Sequence, residues 1–151
     1  MLQRLALALC LLGSFPPAAE ARFVTVIAGD DGGRIGDYVE KYEAVRNSGK
    51  AVMIDGSCKS ACTIVLGIVP QDRICVTHRA KFGFHQAWRE GRAQYGAAIS
   101  VPDAEATAFL LGLYPAPVRR WIYARGGLPP PGGKLLWLKG ESLRSMYRPC
   151  S

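Results

Sequence analysis

The sequence predicts an α/β fold: a mostly parallel sheet of βα units followed by a C-terminal helical arm. Three observations carry that expectation. Short β-branched apolar runs alternate with helical patterns, each of the first two strand-like runs ends in a glycine-containing turn, and helical patterns dominate after Pro102.

Taken in order, Phe23 to Ala28 is β-branched and apolar enough for a buried strand, and Gly29-Asp30-Asp31-Gly32-Gly33 ends it. Ile35, Tyr38, Val39, Tyr42 and Val45 then recur at three- and four-residue steps, which predicts a helix stopped by Asn47-Ser48-Gly49. Ala51 to Ile54 reads as a second short strand ended by Asp55-Gly56, and Ala61 to Val69 as an apolar helix ended by Pro70. Ile74 to Thr77 and Lys81 to Phe84 are two further extended segments. In the arm, Asp103 caps a helix over Ala104 to Leu113, and a second spans Ala116 to Arg125 before Gly126-Gly127. Leu135 to Leu138 is a short apolar segment, and Glu141 to Tyr147 a last helical turn or two. Parallel strands joined by right-handed crossovers would bring both glycine-rich turns to one sheet edge, where open α/β sheets bind ligands.

The first residues read as an export signal. Met1 to Arg4 is short and basic, Leu5 to Phe15 is apolar, and Ala19-Glu20-Ala21 is a small-residue cleavage pattern. The expected organisation is a signal peptide over residues 1–21 and one domain over 22–151, periplasmic or secreted, with no membrane contact after cleavage. That domain keeps Cys58, Cys62, Cys75 and Cys150, an even set that suits disulfides in an oxidising compartment. Four thiols allow three pairings and the sequence does not choose; the expectation taken forward is Cys62 with Cys75 and Cys58 with Cys150. The cysteine spacing lacks a second close pair or a histidine at finger-like distance, so no metal is expected, and no cofactor. The formal net charge is +7, but the basic residues are scattered and form no nucleic-acid motif, so no nucleic-acid partner is expected.

Three segments hold the candidate chemistry. Gly32-Gly33 sits between a strand and a helix, where backbone N–H groups are free to meet an anion, although glycines there also serve backbone geometry alone. Ser60, in Asp55-Gly56-Ser57-Cys58-Lys59-Ser60-Ala61-Cys62-Thr63, opens the next helix as an N-cap or as a nucleophile facing the Gly33 and Ala61 amides. In Phe82-Gly83-Phe84-His85-Gln86, the two phenylalanines share one strand face, which turns His85 to the other. His78, expected in a turn with Arg79, is the rival histidine.

These pieces resemble the proteolytic subunit of Clp protease, which carries a Gly-Gly turn into a helix, a Gly-x-x-x-Ser element opening the next, and a strand ending in His-Gln. Gly32-Gly33, Gly56-Ser57-Cys58-Lys59-Ser60 and His85-Gln86 match in order, and Gly56 to Gln86 aligns with that pattern without a gap. Cys58 to Thr63 looks closest to the Cys-x-Ser-Ala-Cys-Thr core of small exported Clp-like bacterial proteins. The resemblance implies a ClpP/crotonase-like fold, Ser60 as nucleophile, His85 as general base, and the Gly33 and Ala61 amides as oxyanion hole. It implies a serine hydrolase acting on peptide or acyl bonds; the alternative is a non-catalytic module that binds a peptide or anion or assembles with copies of itself.

Two departures qualify the match. Clp-type subunits complete a triad with an aspartate near the position of Gly133 to Leu135, whereas no carboxylate occurs between Glu105 and Glu141, leaving Asp103 and Glu141 as distant substitutes. Little precedes the first strand, so a Clp-type ring with an ATPase partner is not expected. A lysine base, as in signal-peptide peptidases of the same fold, would have to be Lys59 or Lys81.

Overall fold

The computed structural model describes residues 23–150, and the signal-peptide reading of 1–21 lies outside them. The chain runs β1 (Phe23–Asp30), α1 (Ile35–Asn47), β2 (Ala51–Lys59), a 3-10 segment (Ser60–Ile64) continuing into α2 (Val65–Ile68), β3 (Ile74–Val76) and β4 (Lys81–Phe84). There follow β5 (Trp88–Arg92), β6 (Ala98–Pro102), α3 (Ala104–Leu113), α4 (Ala116–Tyr123), β7 (Leu136–Lys139), α5 (Gly140–Arg144) and β8 (Arg148–Pro149). The protein is a mixed α/β structure with one six-stranded sheet in the order β7-β4-β2-β3-β8, β1 lying along β2, and a separate β5-β6 ribbon. Strand β2 pairs in parallel with β1, β3 and β4, β3 pairs in parallel with β8, and β7 closes the sheet antiparallel to β4.

One strand has three partners because β2 is bulged. Ile27 faces Ile54, but Gly29 faces Ser57, so β2 carries one residue more than β1 across the gap. The extra residue falls at Asp55-Gly56, read from the sequence as the strand's end. A Cβ on Gly56 would lie 1.7 Å from the Ala28 carbonyl oxygen, so only glycine permits this backbone approach. Before the bulge Val52–Ile54 pair with β3; after it Ser57–Lys59 pair with β4. The next helix also differs from expectation: it begins as a 3-10 segment and becomes α-helical only over Val65–Ile68. Its wall-to-wall burial from Ala61 to Leu66 explains why the sequence shows no amphipathic stripe.

The core packs α1 on the sheet through Tyr42, and the arm through Leu110, Val118 and Ile122, all buried. Phe84 is the hinge of that packing, edge-on to Tyr114 at 5.3 Å between ring centroids and tilted against Trp121 at 6.3 Å. Asp103 caps α3 as the sequence predicts, its Oδ1 accepting from the Ala106 amide at 2.9 Å. The β5-β6 ribbon is unforeseen, because most of its residues face solvent and leave no alternation of apolar and polar positions.

All four cysteines of this domain are in disulfides, but not in the expected pairs. Cys58 bonds Cys62 and Cys75 bonds Cys150. Cys75 and Cys150 meet because β8 lies beside β3, in register Cys75 to Arg148, and the Cys150 amide donates to the Val76 carbonyl at 3.1 Å. Cys58 and Cys62 meet because the chain doubles back at Ser60, which brings their Cα atoms to 5.3 Å. Two disulfides fit an oxidising compartment. Among the described residues no helix is long and apolar enough to cross a membrane.

The two bonds close loops of very different length, with sequence separations of 75 and 4. In the chain-entropy picture, replacing Cys75 and Cys150 by alanine lowers the unfolding free energy by about 4 kcal/mol, and replacing Cys58 and Cys62 by about 2 kcal/mol. Urea unfolding of the oxidised variants measures both, and equal losses would contradict that ordering.

Candidate active site

Sheet register brings three separate segments to one rim. Asp30 of β1 lies level with Cys58 of β2, so the turn after β1 rises beside the turn after β2. Lys59 of β2 lies level with Gly83 of β4, so Ser60 and His85 both emerge just past a paired row.

The first turn is built on Asp30. Its Oδ1 accepts from the Gly32 amide at 2.9 Å and from the Tyr38 hydroxyl at 2.5 Å, and its Oδ2 pairs with Lys41 Nζ at 3.1 Å. Burial alone would push this carboxyl up, but the hydrogen bonds from Tyr38, Gly32 and Lys41 outweigh it and hold the group below the usual carboxylate range. Burial, then the Asp30 charge, pushes the Tyr38 phenol up to about 12, so the phenol stays protonated and donates. Gly32 has φ +85°, and a Cβ there would come within 2.6 Å of Ser60 Cβ and 2.8 Å of the Ala61 amide nitrogen. The two turns are therefore in backbone contact. Neighbouring Gly33 has an amide with no acceptor among the described residues, and Ala61 lies in a first helical turn, where amides lack intrahelical partners.

Ser60 is the one non-glycine residue with positive φ among those described, at +54°. A left-handed serine costs roughly 1–3 kcal/mol and persists only when its surroundings enforce it. Here three contacts do so. Thr63 Oγ1 donates to the Ser60 carbonyl at 2.6 Å, which uses its single proton, so the Tyr114 hydroxyl 2.7 Å away must be the donor to Thr63. Burial pushes the Tyr114 phenol up to about 12, the Thr63 hydrogen bond opposing this, so that proton is kept at neutral pH. The Cys58–Cys62 disulfide brackets the turn, and Lys59 Nζ binds Asp31 Oδ1 of the first turn at 2.5 Å. The N-cap alternative for Ser60 does not hold: the 3-10 segment has no side-chain cap, and the Ser60 hydroxyl bonds to no group among the described residues.

His85 follows β4 directly. Phe82 and Phe84 are buried on the core side, and His85, half-buried, faces the rim, as the alternation predicts. Ser60, Ala61, Gly32, Gly33 and His85 together line one cleft of about 660 Å³. His78 lies exposed in the turn between β3 and β4, outside that cleft. Neither lysine is placed as a base: Lys59 is paired with Asp31, and Lys81 sits over the Trp137 ring at 5.1 Å. Asp103 is occupied as the α3 cap, and Glu141 lies on α5, away from the cleft. The sequence reading did not find Trp88, Arg89 and Glu90 of β5 or Leu110 of α3, which form the far wall. Leu110 belongs to a recognised helix, but only the tertiary fold lays that helix and the exposed ribbon against the cleft.

No family model matches the chain, and no curated protein matches its sequence.

Two outcomes follow from these contacts. Tyr114→Phe removes the donor to buried Thr63 and lowers stability by about 1 kcal/mol, with faster amide hydrogen exchange over residues 60–64; unchanged exchange there would refute the coupling to Ser60. Because the Asp30 pKa is lowered on folding, its contribution is complete above the unfolded carboxylate value of about 4 and is lost as pH falls through the lower folded value. The stability gap between wild type and Asp30→Asn is therefore widest at neutral pH and closes in acid. Denaturation across a pH series checks the sign.

Proposed function

We propose that this chain is an exported serine hydrolase of the Clp-protease type, cleaving peptide or acyl-ester bonds through an acyl-enzyme. The observation that carries the reading is the left-handed Ser60, whose uncommitted hydroxyl shares a cleft with His85 and with the contacting turns that hold the Gly33 and Ala61 amides. A serine kept in a sparsely populated conformation by a hydroxyl relay, a disulfide and a glycine contact fits a nucleophile held clear of the backbone.

In this mechanism Ser60 Oγ attacks the substrate carbonyl carbon while His85 Nε2 takes the hydroxyl proton. The Gly33 and Ala61 N–H groups receive the charge that develops on the carbonyl oxygen. Collapse breaks the bond to the leaving amine or alcohol, which takes its proton from His85. Water, deprotonated by the same nitrogen, then attacks the acyl-serine, and the carboxylic acid leaves with Ser60 restored. The apolar surfaces of Ile35, Trp88 and Leu110 suit a substrate side chain that would otherwise sit in water. The two disulfides favour the periplasm or the exterior as its place of work.

A fluorophosphonate probe on the purified, oxidised protein tests the proposal. Labelling is expected at Ser60, absent in Ser60→Ala, and slowed about 10²–10⁴-fold in His85→Ala, the range general-base catalysis supplies. No labelling of the wild-type protein across a broad pH range would reject the hydrolase and leave a peptide- or anion-binding module.

A further inference from the structure

Among the described residues no carboxylate bonds His85, yet its ring is held. His85 Nδ1 lies 2.6 Å from the main-chain oxygen of Gln86. A carbonyl oxygen only accepts, so Nδ1 carries the hydrogen, and in the neutral ring Nε2 is left with its lone pair free. That is the tautomer a general base toward Ser60 requires.

Gln86, the residue that presents this oxygen, is itself fixed at two points. Its amide donates to the Pro129 carbonyl at 2.8 Å, and its side-chain Nε2 donates to the Leu128 carbonyl at 3.0 Å. Both anchors lie in the segment between α4 and β7, beyond the helical arm, and Leu128 is buried against the core. The segment contains no acid, and its Leu128 and Pro129 carbonyls are spent on holding Gln86 in place.

We propose that Gln86, clamped to Leu128 and Pro129, is the positioning residue that takes over the triad carboxylate's orienting role, so that the site works as a Ser60–His85 dyad with its tautomer set by a main-chain carbonyl. This rests on the hydrolase reading for its catalytic meaning, but the tautomer assignment stands on geometry alone. During attack the proton moves from Ser60 Oγ to His85 Nε2, Nδ1 keeps its own, and nothing is transferred to Gln86. A neutral carbonyl dipole orients the ring as an aspartate does, while giving the imidazolium less stabilisation than a full negative charge would.

The test combines nitrogen-15 NMR of the His85 ring, at alkaline pH where imidazoles are neutral, with fluorophosphonate labelling rates. In the wild type Nδ1 is expected to be protonated and Nε2 bare. Gln86→Glu keeps the side-chain shape but removes the donor to Leu128, and Gln86→Ala removes the side chain; in both, the ring becomes a tautomer mixture and labelling slows about tenfold, less than loss of the base itself would cost. A wild-type ring protonated at Nε2 would overturn the proposal whether or not the variants fold. So would variants that leave tautomer and labelling rate unchanged. A wild type with protonated Nδ1 but an unlabelled Ser60 would uphold the tautomer assignment and reject the hydrolase.

Discussion

The molecule is organised by the close approach of Gly56 to the Ala28 carbonyl. That contact lets β2 absorb an extra residue without leaving β1, and the resulting swerve hands its free edge from β3 to β4. Everything at the rim depends on this exchange. Pairing with β4 past the bulge sets Lys59 level with Gly83, and so brings Ser60 and His85 to the same cleft although 25 residues separate them. A bulky side chain at position 56 would have to displace β1, and with it the turn that meets Ser60.

The site is held by short-range polar contacts laid over that frame. Asp30 gathers the Gly32 amide, Tyr38 and Lys41, which fixes one wall; Thr63, itself held by the Tyr114 hydroxyl, grips the Ser60 carbonyl, which fixes the other. The second relay spans from the start of the 3-10 segment to the end of α3, so the helical arm does more than cover apolar surface. The segment beyond it adds a second connection through Leu128 and Pro129, which hold Gln86 next to His85. Strain at Ser60 is thus balanced by elements distant in sequence, the usual arrangement where an unfavourable backbone conformation is retained.

Reading along the chain located most elements, including α1, α3 and the extended segments around Cys75 and Phe82, because periodicity and capping are local signals. It placed the β2 boundary too early, because a strand glycine that permits a bulge looks the same as one that ends the strand. The β5-β6 ribbon escaped because solvent on most of its surface removes the pattern, and β8 because two residues carry none. The cysteine pairs were misjudged for a more specific reason. A bond between residues 58 and 62 depends on the left-handed backbone of Ser60, which no local preference of serine would suggest.

What the sequence determined by itself is the set of chemical groups and their local setting: a strand face that turns His85 away from two phenylalanines, a serine at the mouth of an apolar helix, glycines where backbone must approach backbone, and four thiols in the stretch over 22–151. Only the tertiary structure decided which cysteines join, which groups line the cleft with Ser60, and that a main-chain oxygen meets the histidine where a carboxylate was sought. The reason is physical. Side-chain identity and periodicity are properties of neighbouring residues, whereas these outcomes are set by strand register and by hydrogen bonds that close across tens of residues.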